Sequence, residues 1–218
     1  MSGAAAELRA LLASGTADER LGRGCAEILR DIARGRLTPR GLRHPLGFLY
    51  VPLDRRPDSV LRLHLWPRRP WWSTLTTSPY HMHAWRLVSY VHRGAVRNTT
   101  VEVRAAADGD AEYRVFDIDG EGERDLLVPS EETVAVSSRA TSTVRAGGLY
   151  GLDVGTFHCT SLLEGTAAVT LALVDRVPGA RERALGPCGL GRHSTLRATA
   201  PADELRRFAR ESLLEPGA

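Results

Sequence analysis

Two histidines separated by a single residue, His81 and His83, open a stretch of strand-forming residues that ends at Gly94. On an extended chain successive side chains point to opposite faces, so these two rings point the same way. Two imidazoles on one face can hold one metal ion. Taken alone, the pair is also what two neighbouring surface histidines look like. A second feature lies further on, at Gly147-Gly-Leu-Tyr-Gly-Leu-Asp-Val-Gly-Thr-Phe-His158. There a tight glycine-rich turn delivers another histidine at the start of a strand.

Other side chains could act on a small molecule. Arg62 and Arg86 can each grip a carboxylate through a bidentate pair, although most arginines simply face water. Tyr50 and Tyr90 can donate a hydrogen bond to a reacting group, or serve as core tyrosines. His64 alternates with leucines in Val60-Leu-Arg-Leu-His-Leu-Trp66, so it faces either a pocket, as acid, base or ligand, or solvent beside Arg62. Trp66, Trp85 and the Trp71-Trp72 pair can wall a pocket or pack a core. Cys159 alternates away from its neighbour His158 and reads as packing. Ser161 has no partners for a hydrolytic triad.

The elements that must position these residues fall into three zones. Residues 1–45 are helical in pattern: an alanine-rich helix over Ala4–Leu12, then a helix capped by Thr16 whose Leu21, Cys25, Ile28, Leu29 and Ile32 form one apolar face. Residues 46–178 carry short strands at 48–53, 60–66, 81–92, 97–105, 112–118, 133–136, 142–144, 149–152 and 167–174. Many short strands at fairly regular spacing indicate a sandwich or barrel. Residues 179–218 begin as an irregular Gly/Pro-punctuated segment and finish in a helix from Pro201 to about Leu214. The expected fold is mainly β, a barrel with N-terminal helices and a C-terminal helix.

The two histidine segments resemble the two motifs of the cupin superfamily, a jelly-roll β-barrel. The first motif, G-x5-H-x-H-x(3,4)-E-x6-G, is matched by His81, His83 and Gly94; the second, G-x5-P-x-G-x2-H-x3-N, by Gly147, Gly155 and His158. Together they span about a sixth of the chain. The resemblance implies that His81, His83 and His158 ligate one metal ion. Four positions depart from the pattern: Leu75 for the first glycine, Leu87 for the glutamate, Asp153 for the proline and Leu162 for the asparagine. The loss of the glutamate leaves three neutral imidazoles. Such a site keeps the full charge of a divalent ion and favours an anionic co-ligand supplied by the substrate.

Within the superfamily the chain is similar to the three-histidine, cysteine-dioxygenase-like thiol dioxygenases. They share N-terminal helices, a Trp-containing strand and a Pro/Gly-rich connection before the histidine pair. By that likeness His64 and Trp66 line the pocket on the same strand face as Arg62. The likeness fails elsewhere. The family's carboxylate-binding arginine has no counterpart in Phe48–Leu53, where Tyr50 stands, and its Ser-x-His-x-Tyr relay is missing from Val169-Thr-Leu-Ala-Leu173. Cysteine itself is therefore a poor candidate substrate. The resemblance implies a mononuclear non-heme Fe(II) oxygenase that uses O2 on a small organic or amino-acid-derived substrate. Tyr50 and His64 would then act at the reaction centre, and Arg62, Trp66, Trp85, Arg86 and Tyr90 would contact the substrate. Zinc, manganese or nickel would suit the same ligands and support an isomerase or lyase. A non-catalytic ligand-binding cupin is the third reading.

Composition narrows the field. The chain has 218 residues, 43% apolar and 25% charged, ordinary for a globular domain. All 29 basic residues are arginine. Without lysine there can be no lysine Schiff base and no P-loop. The arginines are interleaved with acids, which argues against a nucleic-acid surface. The apolar runs are too short for a membrane span. Glu7 and Arg9 interrupt the first apolar stretch, unlike a signal peptide, so a cytoplasmic protein is expected. Cys25, Cys159 and Cys188 form no CxxC pair and are expected to be reduced. A homodimer through a barrel face is the expected assembly.

Overall fold

The computed structural model describes residues 2–69, 72, 75–107, 109–121 and 123–214. Among the described residues two helices, α1 (Ser2–Ala13) and α2 (Glu19–Ala33), lead into thirteen strands. These are β1 (Leu42–Arg43), β2 (Leu49–Arg56), β3 (Ser59–Trp66), β4 (His81–Met82), β5 (Trp85–Arg93), β6 (Ala95–Ala105), β7 (Tyr113–Glu121), β8 (Arg124–Arg145), β9 (Leu149–Leu152), β10 (Phe157–Leu162), β11 (Ala168–Arg176), β12 (Arg183–Gly186) and β13 (His193–Leu196). Helix α3 (Ala202–Leu213) follows. The mainly β architecture with helices at both ends is as expected. No helix among the described residues is long and apolar enough to cross a membrane.

The strands form two antiparallel sheets. The first has the order β1-β2-β3-β11-β5-β9 and the second β13-β8-β6-β10-β4-β12-β7, with β7 also pairing with β8. That last pairing curls the second sheet back on itself. It is possible because β8 is 22 residues long: its first half faces β7 and its second half β6. The sequence pattern showed two short strands within this span. Exposed Ser, Thr and Arg side chains hide a continuous strand whose pairing is set by the backbone. β12 and β13 were likewise unmarked in the segment read as irregular. They are short pieces completed by long-range pairing to β7, β4 and β8.

Alternation along β3 decides which face of the first sheet becomes a site. Leu61, Leu63 and Leu65 are fully buried and pack with Leu21, Cys25, Leu29 and Ile32 of α2 and Phe208 of α3. Each leucine removed from water contributes about 1.5–3 kcal/mol. The helices therefore claim the leucine face, and Arg62, His64 and Trp66 are turned into the space between the sheets. Helix α2 is capped by Asp18, whose carboxylate accepts from the Arg20 amide, rather than by Thr16. Helix α1 is tied to the β2–β3 hairpin by Arg9, 6% exposed, whose guanidinium donates to Asp54 and Ser59.

Gly94 alone separates β5 in the first sheet from β6 in the second. Its φ is +74°, and a Cβ there would sit 2.2 Å from the carbonyl oxygen of Ala167. Only glycine permits both the left-handed turn and the close approach.

Candidate metal centre and cavity

His81, His83 and His158 converge, with ligand atoms all within 4.8 Å of one another. Their ring centroids lie 4.5–4.9 Å apart. These spacings are near the separation of about 3–4 Å that nitrogens take around a single ion. The reason for convergence differs from simple alternation. His81 belongs to β4 in the second sheet, where it is the direct partner of His158 on β10. His83 lies in the two-residue crossing to β5 in the first sheet. That crossing is held on both sides: Gly155 N–H donates to the His83 carbonyl at 3.4 Å, and Val177 N–H to the Ala84 carbonyl at 2.9 Å. Gly155 thus links the second glycine-rich turn to the first histidine segment.

Hydrogen bonds fix two of the three tautomers. His81 Nδ1 lies 3.0 Å from the Pro79 carbonyl and His158 Nδ1 2.9 Å from that of Thr156. A carbonyl can only accept, so Nδ1 carries the hydrogen and Nε2 keeps a free lone pair in the neutral ring. Burial keeps the rings neutral: it lowers His81, depresses His83 well below the ordinary imidazole value and brings His158 down to about 3. His83 stacks on Trp85, with centroids 3.4 Å apart and planes at 17°. The Trp85 indole N–H in turn donates to the Glu182 carboxylate at 3.0 Å. Leu87, in the place of the motif's glutamate, is buried against Leu152 and Ala172. The donor set among the described residues is therefore three neutral nitrogens, which fits a divalent first-row ion.

The triad lines a cavity of about 1030 Å³ between the sheets. Tyr50, Arg62, His64, Trp66 and Trp85 line it too. The Arg62 guanidinium lies 5.2 Å from the Tyr50 ring centroid and 4.5 Å from that of Trp85. It has no carboxylate within 4 Å among the described residues. Burial works against its charge, while Tyr50 supports it. His64 is 5% exposed, contacts Thr170 Oγ1 through Nδ1 at 3.3 Å and is held neutral by burial. Thr170 comes from the stretch that lacks the Ser-x-His-x-Tyr relay, and the Tyr150 hydroxyl lies beside it.

Two predicted contacts do not reach the cavity. Trp85 and Leu87 face inward, so Arg86 and Tyr90 on the same strand face outward. Arg86 is exposed and pairs with Asp153 at 3.6 Å. Tyr90 joins the core beneath the helices, its hydroxyl against Gly22 of α2. Trp72 packs on Phe208 of α3; Trp71 lies outside the described residues. His92, on the same strand, is half-buried.

Several cavity residues were not anticipated. His44, in the turn before β2, stacks on Phe48 at 4.3 Å and accepts the Leu46 N–H at Nδ1, so its neutral ring carries the hydrogen on Nε2. Asp125 and Arg197 form a bidentate pair on the far wall, at 2.5 and 2.6 Å. Spacing gave no sign of them, since each comes from a different strand or turn.

No sequence-family profile matches the chain, and no curated protein is significantly similar to it. Among solved structures the chain is similar to a hydroquinone 1,2-dioxygenase in complex with Cd2+ and 4-hydroxybenzonitrile, with 15% identity and a TM-score of 0.33. That match covers 57% of this chain and 62% of the other.

Proposed function

We propose that the protein is a metal-dependent, dioxygenase-like enzyme of the cupin type, with Fe(II) held by His81, His83 and His158 and a small organic anion as substrate. The observation that carries the reading is the convergence of three neutral imidazoles, two with fixed tautomers, beside a guanidinium that has no acidic partner among the described residues. When bound, such an ion would supply open positions at which substrate and O2 can be brought together. The protein's own groups supply the rest. Arg62, backed by the faces of Tyr50 and Trp85, binds the acidic group and sets the distance of the reacting end from the histidines. Trp85, anchored by Glu182, keeps the His83 ring from turning. Trp66 and Leu87 exclude water from that side. His64 holds or yields a proton at its ring, with Thr170 as the partner that fixes its orientation.

The departures from the cysteine-dioxygenase-like branch support a different substrate: the arginine stands on β3, and the cavity is far larger than cysteine requires. Metal analysis with oxygen uptake tests the reading. Iron near one per chain, with substrate-dependent oxygen consumption that is lost in His158→Ala, is the expected result. Stoichiometric zinc and no oxygen uptake would instead support a Lewis-acid lyase or isomerase, for which three neutral nitrogens are equally suited. Full metal occupancy in His158→Ala would overturn the site itself.

A further inference from the structure

The arginines around the cavity are not alike. Arg197 is neutralised by Asp125, Arg181 lies 3.9 Å from Asp117, and Arg56 lies 3.5 Å from Asp54. Arg55, Arg62 and Arg176 also line the cavity, yet none has a carboxylate within 4 Å among the described residues. Strand register puts these three on one surface. Arg55 on β2 is the direct partner of Val60 on β3, and Val60 is the direct partner of Val174 on β11. Directly opposed residues share a face, as do residues two apart on a strand. Arg62 and Arg176 therefore lie on the same inner face as Arg55.

Tyr50 joins two of the three. Its ring lies between the guanidiniums of Arg62, at 5.2 Å, and Arg55, at 5.9 Å, and its hydroxyl accepts from Arg55 Nη2 at 3.3 Å. The Tyr50 hydroxyl hydrogen is left to donate elsewhere. A single carboxylate uses one guanidinium fork. A wall with two forks around a phenol, and a third at its rim, has room for more negative charge than one carboxylate carries.

We propose that the cavity selects a small organic dianion, one whose two negative charges, on two carboxylates or one phosphate group, are shared by Arg62 and Arg55 across Tyr50, with Arg176 at the rim. This rests on the metal-site reading only for where the other end of the ligand goes. The cavity volume leaves space for a chain of several carbon atoms between the arginines and the histidines.

Calorimetric titration of the zinc-loaded and the chelated protein with propionate, glutarate and inorganic phosphate tests it. The expected result is that glutarate or phosphate binds at least about tenfold more tightly than propionate, the worth of one added charge-assisted contact. Arg55→Ala should bring that ratio close to one, and Arg62→Gln should weaken all three ligands. Preference for glutarate over phosphate identifies a dicarboxylate, and the reverse a phosphate ester. Equal binding of propionate and both dianions by the wild-type protein, or an unchanged ratio in Arg55→Ala, overturns the proposal. Metal content measured on the same samples keeps the two readings separate. A chain that takes up no metal yet keeps the ratio loses the oxygenase reading and retains the dianion site.

Discussion

Lowering the pH of the metal-free protein from 7.5 to 5 should destabilise it steeply. His64 and His158 are 5% and 2% exposed, and burial holds both below the ordinary imidazole value, His158 to about 3. In the unfolded chain each titrates near 6.5. Below that value the unfolded state takes up protons that the folded state refuses, so stability falls as pH falls and is fully present only above the unfolded value. At pH 5 His158 alone costs about 2 kcal/mol, and the other buried imidazoles, depressed for the same reason, add to that loss. That is a large share of the roughly 5–15 kcal/mol that holds a domain folded. The window lies above the range in which ordinary carboxylates titrate, so the imidazoles dominate it. Urea unfolding with chelator present, at four pH values across the range, measures the slope. His158→Ala should remove about 1.5 kcal/mol of the loss between pH 6.5 and 5. A stability that is flat or rises over that interval would refute the neutral-imidazole account of the centre.

Two further outcomes follow from the same geometry. Gly94→Ala should cost more than about 3 kcal/mol, because the left-handed turn is joined by overlap with a backbone carbonyl. Gly155→Ala, with φ of +77° and open space around it, should cost only about 1–2 kcal/mol; denaturant midpoints of the two variants check the contrast. Glu182→Ala should free the Trp85 ring and shift the visible absorption of the cobalt-substituted protein, whereas Glu182→Gln, whose amide oxygen still accepts the indole N–H, should restore it. An unshifted Ala spectrum would remove Glu182 from any role in holding His83.

The convergence of the three histidines was legible because glycine spacing is written in the sequence. Gly94, Gly147 and Gly155 mark turns that no other residue makes cheaply, and they locate the three histidines between them. The orientation of β3 was half legible. Alternation separated Leu61, Leu63 and Leu65 from Arg62, His64 and Trp66, but only the helices packed on the leucines decide which set meets solvent and which the cavity. The same period of two excludes Arg86 and Tyr90 once Trp85 faces inward, so grouping all three ignored the strand's own geometry. His44, Asp125, Arg197 and Glu182 were not legible. Each reaches the cavity by tertiary placement from segments without regular pattern. The length of β8 was hidden for a related reason: an exposed polar strand leaves no hydrophobic period to read.

The path of the chain through His81, Met82 and His83 has a mechanical consequence. His81 and His158 are carried by one sheet, and His83 by the strand of chain that departs for the other. An ion bound to all three would rivet the two layers together. The bond to His83 would then act as a gauge of the clearance between the layers. Substitutions that pry the sandwich apart from the helix side would be read out as a change of colour or magnetic signature at the metal, without touching a ligand.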